Sequence, residues 1–160
     1  MNKALARISI FIMLAGIACS PLAGAADAAL TGVVGNWLTE PNDGVIGIIQ
    51  ITVNAAGGLE GRIVGGNRPG SKDVHNKDPA RRGAVLRGQV ILKNMAYDGG
   101  GEWSGGTIYR AGDGKTFKCK VALAANGVLE VRGYIGFSLL GITQKWTRYT
   151  GTSMDLPQTQ

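Results

Sequence analysis

Apolar and polar positions alternate along most of this chain, and glycine interrupts the alternation at short intervals. The pattern is cleanest from Lys115 to Ala124, where Phe117, Cys119, Val121 and Leu123 share one face and Thr116, Lys118 and Lys120 share the other. That is the period-two signature of a half-buried strand. Asp113-Gly114 precedes it and Asn126-Gly127 follows it. Both dipeptides favour tight hairpins, because these residues tolerate positive φ. The stretch from Gly101 to Tyr149 therefore predicts a meander of antiparallel strands. Upstream, Val45 to Val53 is apolar on both faces at its start and rich in β-branched residues, which predicts a well-buried strand. Leu59 to Val64 and Gln89 to Met95 supply further strands, and Thr31 to Glu40 is another candidate. Turn chemistry at Pro41–Gly44, Ala55–Gly58 and Tyr97–Gly100 separates these runs.

The expected fold is all-β, with about eight antiparallel strands, enough to close a small up-and-down barrel that holds either side chains or one small ligand. Closure removes the exposed edges that one long sheet would carry, although the strand spacing also fits a sandwich. Residues 65–88 break the alternation with a polar, glycine-rich stretch too long for a hairpin loop. Within it Asp78 fits an N-cap, Pro79 a first helical position and Gly83 a stop, so one short helical turn is expected there. A long connection of this kind serves either as a lid or binding loop, or as an ordered cover with no ligand.

Composition adds three points. Glycine supplies 26 of 160 residues, which disfavours long helices and suits tight turns and barrel bends. At the start, MNKALAR leads into an apolar run of eleven residues and then Pro21, the layout of a secretory signal peptide. The run is too short to span a bilayer, for which about 20 residues are needed. Cleavage is expected near Ala25, which implies a periplasmic or secreted protein with residues 26–150 as the barrel domain and 151–160 as a flexible C-terminal tail. The alternative is lipoprotein processing at Cys19, which GIAC also permits. Removing Lys3 and Arg7 leaves 15 basic and 11 acidic residues, a net charge of +4 with the signs interleaved. That distribution gives no nucleic-acid footprint.

The order GNWLTE, EGRIV, the spacing D-x-x-N-x-D-P-A-x-R across Asp73 to Arg82, then WSGGTIY, DGKTF, LEVRGYIGFSLLG and TQKWTR resembles the bacterial family known as domain of unknown function 2147. The resemblance covers nearly all of the mature chain. It implies a small secreted protein with a lipocalin-like barrel and no assigned activity. The chain departs from that pattern at Lys77, Ala84, Arg110-Ala111 and Ile142. Gly35-x-Trp37 also resembles the G-x-W signature of lipocalins, in which the tryptophan closes the barrel floor against a late arginine. Here Arg148, on one strand face with Trp146, is the expected partner, and Trp37, Trp146 and Arg148 are read as structural closure residues.

Catalysis finds little support in the residue types. His75 is the only histidine, and a lone histidine makes neither a metal site nor a triad. Cys119 sits on an apolar strand face, which raises a thiol's pKa. Asp73 and Asp78 lie among Lys72, Lys77, Arg81 and Arg82, a setting that keeps carboxylates ionised and favours a loop-ordering role. No enzyme activity, cofactor or metal is therefore expected. The reading is a binding protein for a small hydrophobic or amphipathic molecule, with Asn76, Asp78 and Arg82 at the mouth and Trp103, Tyr109, Phe117 and Val121 lining the interior. Arg132 and Tyr134 are assigned to the exterior. The alternative is an envelope interaction protein, possibly a homodimer, with a filled core and a working outer face.

Overall fold

The computed structural model describes residues 30–158. The expected signal peptide, its cleavage site and Cys19 lie outside those residues. Eight strands follow in order: β1 (Gly35–Leu38), β2 (Gly47–Val53), β3 (Leu59–Gly66), β4 (Val90–Gly99), β5 (Glu102–Arg110), β6 (Lys115–Leu123), β7 (Leu129–Tyr134) and β8 (Gly141–Arg148). Each pairs antiparallel with its sequence neighbours, and β1 with β8 closes the barrel through Trp37–Arg148 and Leu38–Thr147. Short 3-10 turns sit at Pro79–Arg81 in the β3–β4 connection and Ser138–Leu140 in the β7–β8 connection.

The first strand candidate is corrected. Residues 30–33 form a helical turn in which the Val34 amide donates to the Leu30 carbonyl at 3.0 Å, and β1 begins only at Gly35. Gly35 takes φ +129, a conformation open to glycine, and marks the change of direction. The helical turn lies across one end of the barrel, with Val33 fully buried and Leu30 packed on the core. Period-two reading misses it because three apolar residues in this short run fit either period.

Up-and-down connectivity divides the barrel into two ends. The helical turn and the β2–β3, β4–β5 and β6–β7 hairpins lie at one end. Inside this half Trp37, Ile51, Leu59, Met95, Trp103 and Val121 are fully buried in one cluster. Truncating one of its tryptophans to alanine would cost about 3–5 kcal/mol. At the other end, four connections surround an opening: β1–β2, the long β3–β4 strap (residues 67–89), the β5–β6 turn and β7–β8.

Residues 151–156, expected to fray, instead run beside β3. The Gly66 amide donates to the Met154 carbonyl at 2.9 Å, the Leu156 amide donates to the Gly66 carbonyl at 3.0 Å, and Arg87 pairs with Asp155. The reason lies in β3, since a Cβ at Gly65 would stand 2.0 Å from the Met154 oxygen. Two successive glycines leave the bare backbone on which the tail docks.

Candidate functional site

The open half of the barrel contains a cavity of about 560 Å³, within the range of small-molecule sites. Its walls come from inward positions of the strands: Ile49 of β2, Ile63 of β3, Ile91 of β4, Ile108 of β5, Phe117 of β6, Val131 and Gly133 of β7, and Trp146 of β8. Gly133 leaves one inward position without a side chain. A Cβ there would meet Ile108 and Phe117 at 3.5 Å, ordinary contact, so the empty position adds room without backbone strain. Polar side chains come mainly from the connections at the mouth, among them Glu40, Asp43, Arg68 and Lys72. Gln144 accepts a hydrogen bond from the Trp146 indole at 3.0 Å, and Tyr109 points its hydroxyl at the strap.

That hydroxyl donates to Asp73 Oδ1 at 2.7 Å, and the Asn76 side-chain amide donates to Asp73 Oδ2 at 2.7 Å. Asp73 is fully buried, and its backbone exchanges hydrogen bonds with Gly83 and Ala84 across the strap. One carboxylate thus fastens a polar connection to a barrel strand. Burial raises the Tyr109 pKa to about 12, assisted by the hydrogen bond to Asp73 and by its charge. At the neighbouring turn Arg110 lies 4.6 Å over the Phe117 ring and is ion-paired with Asp113. The arginine's hydrogen bond holds the Asp113 carboxyl well below its usual range and raises the guanidinium's own pKa.

The expected ligand residues divide. Tyr109 and Phe117 are on the cavity wall. Trp103 and Val121 are not: both are fully buried in the filled half, where Trp103 packs on Tyr97 with ring centroids 5.2 Å apart. They share the inward face with the cavity residues but lie towards the plugged end, and parity along a strand does not encode depth. Asn76, Asp78 and Arg82 are likewise relocated, because their polar groups are engaged within the strap. Asn76 Oδ1 accepts from the Asp78 amide at 2.9 Å, the Asn76 carbonyl accepts from Arg82 Nε at 2.7 Å, and Asp78 caps the 3-10 turn through the Ala80 amide at 3.0 Å. The strap instead meets the cavity through residues 68–72, Val74, His75, Leu86 and Arg87.

Trp37 and Arg148 occupy the closure. The guanidinium lies 4.0 Å over the Trp37 ring, where burial lowers its pKa, and donates to the Val34 carbonyl at 2.7 Å and to the Gly32 carbonyl. The Trp37 indole donates to the Val33 carbonyl at 2.8 Å. Trp146 differs from that pair in that it also borders the cavity. Tyr134, assigned to the exterior from its alternation, stands at the cavity rim because the strand ends there. Arg132 turns onto the β7–β8 connection, donating to the Ser138 and Leu139 carbonyls and to Thr143 Oγ1.

The groups considered for chemistry do not converge. Asp73 is consumed by Tyr109 and Asn76, while Asp78 is exposed and lies 3.7 Å from Arg81. Cys119 is a free, fully buried thiol whose pKa burial pushes up to about 12. Among the described residues no group of three or more His, Cys, Asp and Glu could hold a metal ion, and no helix is long and apolar enough to cross a membrane.

Fold and cavity together define a closed eight-stranded antiparallel barrel, plugged at one end and hollow at the other. Residues 35–148 match the family described as an uncharacterized protein conserved in bacteria, domain of unknown function 2147, and the chain belongs to it. Among solved structures it is similar to protein HP1028 from the human pathogen Helicobacter pylori, which is described as belonging to the lipocalin family. The two share 24% identity at a TM-score of 0.68, over 74% of this chain and 83% of that one. That likeness establishes a lipocalin-like fold. No curated protein matches the sequence.

Proposed function

We propose that this protein is a non-enzymatic binding protein of the bacterial cell envelope, which carries a small hydrophobic or amphipathic molecule in the open half of its barrel. The observation that carries the reading is the 560 Å³ cavity, walled by aliphatic and aromatic side chains and reached through a polar mouth that bears Arg68, Lys72 and Arg87 beside Glu40 and Asp43. Such a site takes up an apolar body by removing it from water and leaves a polar or anionic head at the rim. A fully packed core would have favoured a purely external role, but here packing stops halfway along the barrel.

The test is native mass spectrometry of the protein purified from its own periplasm, with organic extraction and titration of the purified protein with a fluorescent fatty acid. One-to-one uptake is expected. The variant Gly133→Leu places a side chain in the cavity and should abolish uptake while leaving the melting temperature equal or higher. A wild-type protein that takes up no apolar probe, or a folded Gly133→Leu variant that binds as well as wild type, refutes the proposal.

A further inference from the structure

The β7–β8 connection is the least expected surface of the molecule. Ile135, Phe137, Leu139, Leu140 and Ile142 are 68%, 79%, 88%, 78% and 69% exposed, within eight consecutive residues that carry no charge. Contiguous apolar surface of this kind marks an interaction site. The loop is also shaped: the three hydrogen bonds from Arg132, two of them to loop carbonyls, hold its backbone. The apolar side chains are thus displayed outward when they could have collapsed onto the barrel.

Two neighbours indicate what it faces. Ile135, Leu140 and Ile142 also border the cavity, so patch and mouth are continuous. Across the same mouth lies the β3–β4 strap, where Arg68, Lys72 and Arg87 border the cavity and Lys77, Arg81 and Arg82 lie outside its lining; Arg87 is ion-paired with Asp155 of the tail, Arg81 with Asp78, and Asp73 is buried. Glu40 and Asp43 of the β1–β2 connection offset this only in part. We propose that the open end docks on an anionic lipid bilayer, with the β7–β8 apolar side chains in the headgroup–acyl boundary and the basic strap against the phosphates. A second copy fits less well, because face-to-face pairing would oppose two basic straps, whereas an anionic surface neutralises them. The inference goes beyond the cavity reading: docking holds whether or not the barrel is loaded.

The experiment is co-sedimentation of the mature chain with vesicles of phosphatidylcholine alone, or of phosphatidylcholine with phosphatidylglycerol. Binding is expected on the anionic vesicles and should fall by about tenfold or more on the neutral ones. It should weaken sharply near 1 M salt, where the screening length is only about 3 Å. The double variant Phe137→Ser/Leu139→Ser should lower partitioning by about a hundredfold, since each such side chain is worth roughly tenfold on leaving water. Its melting temperature should be unchanged, as both residues are exposed. Arg68→Gln/Lys77→Gln should weaken binding and flatten its salt dependence. Gly133→Leu should sediment as wild type does, which separates failure of docking from failure of the cavity reading. Absence of binding to either vesicle, or undiminished binding by the Phe137/Leu139 variant, overturns the proposal. So does a wild-type dimer that the same variant dissociates, which would assign the face to a second copy.

Discussion

The bond between Tyr109 and Asp73 ties the strap to the barrel, and breaking it yields a worked prediction. Tyr109→Phe removes one of the two side-chain donors that face the buried carboxylate. Asp73→Asn keeps the shape but removes the charge and one of the two acceptor oxygens, so only one of the Tyr109 and Asn76 donors still meets an oxygen. A hydrogen bond to a charged group contributes about 1.5–3 kcal/mol, so each single change should destabilise by roughly that amount and the double-mutant cycle should show coupling of about 1–2 kcal/mol. For a domain of this length each kcal/mol moves the melting temperature by about 3–5 °C. The same bond acts on pH. The Tyr109 pKa is raised from 10.0 to about 12, so the folded state holds its proton longer than the unfolded chain. The associated stability is present below pH 10 and is lost as pH rises towards 12. Denaturant unfolding of the four proteins measures the coupling, and ultraviolet titration of the phenol should show a lower Tyr109 pKa in Asp73→Asn. Coupling below about 0.5 kcal/mol, with an unmoved phenol titration, would mean that something else holds the strap.

Three further outcomes follow from single positions. The Cys119 pKa rises from 9.0 to about 12 through burial, so stability should fall from about pH 9 upwards by at most about 1.4 kcal/mol per pH unit from this group. Cys119→Ala should flatten the first part of that alkaline limb in pH-dependent unfolding, and the native thiol should react with disulfide reagents only as fast as the barrel opens. Gly114→Ala should destabilise by more than the roughly 1 kcal/mol typical of a positive-φ glycine, because its Cβ would fall 1.8 Å from the His75 carbonyl and push the strap away, as hydrogen exchange in residues 72–85 would report. Arg148→Met should cost about 2–3 kcal/mol in denaturant unfolding, since it leaves the Gly32 and Val34 carbonyls without this donor and removes the stack on Trp37.

The barrel was legible in the chain because its causes are local. Asp113-Gly114 and Asn126-Gly127 set hairpins within a few residues, and the alternation of Phe117, Cys119 and Val121 names the inward face. The closure of Trp37 on Arg148 was legible as a residue resemblance. Depth along the barrel was not legible, because Val121 and Phe117 share one parity along β6 yet one packs the plug and the other lines the cavity. Asn76, Asp78 and Arg82 misled for a different reason. A polar residue in a loop satisfies a neighbouring backbone group as readily as a ligand, and only the folded hydrogen bonds decide between the two. Gly133 carried no signal beyond a bend, since space is made by what is absent.

The barrel's seam has a kinetic meaning. Sequential strands join through short connections apart from the β3–β4 strap, but β1 meets β8 across more than a hundred residues, with the ladder resting on Trp37–Arg148 and Leu38–Thr147. A contact that encloses so much chain forms late in folding, since its loop entropy is recovered only after the intervening hairpins exist. The arginine stacked on Trp37 and anchored to the helical turn therefore acts as a latch on the slowest step, and its loss would shorten the lifetime of the closed ring more than it would change the ring's shape.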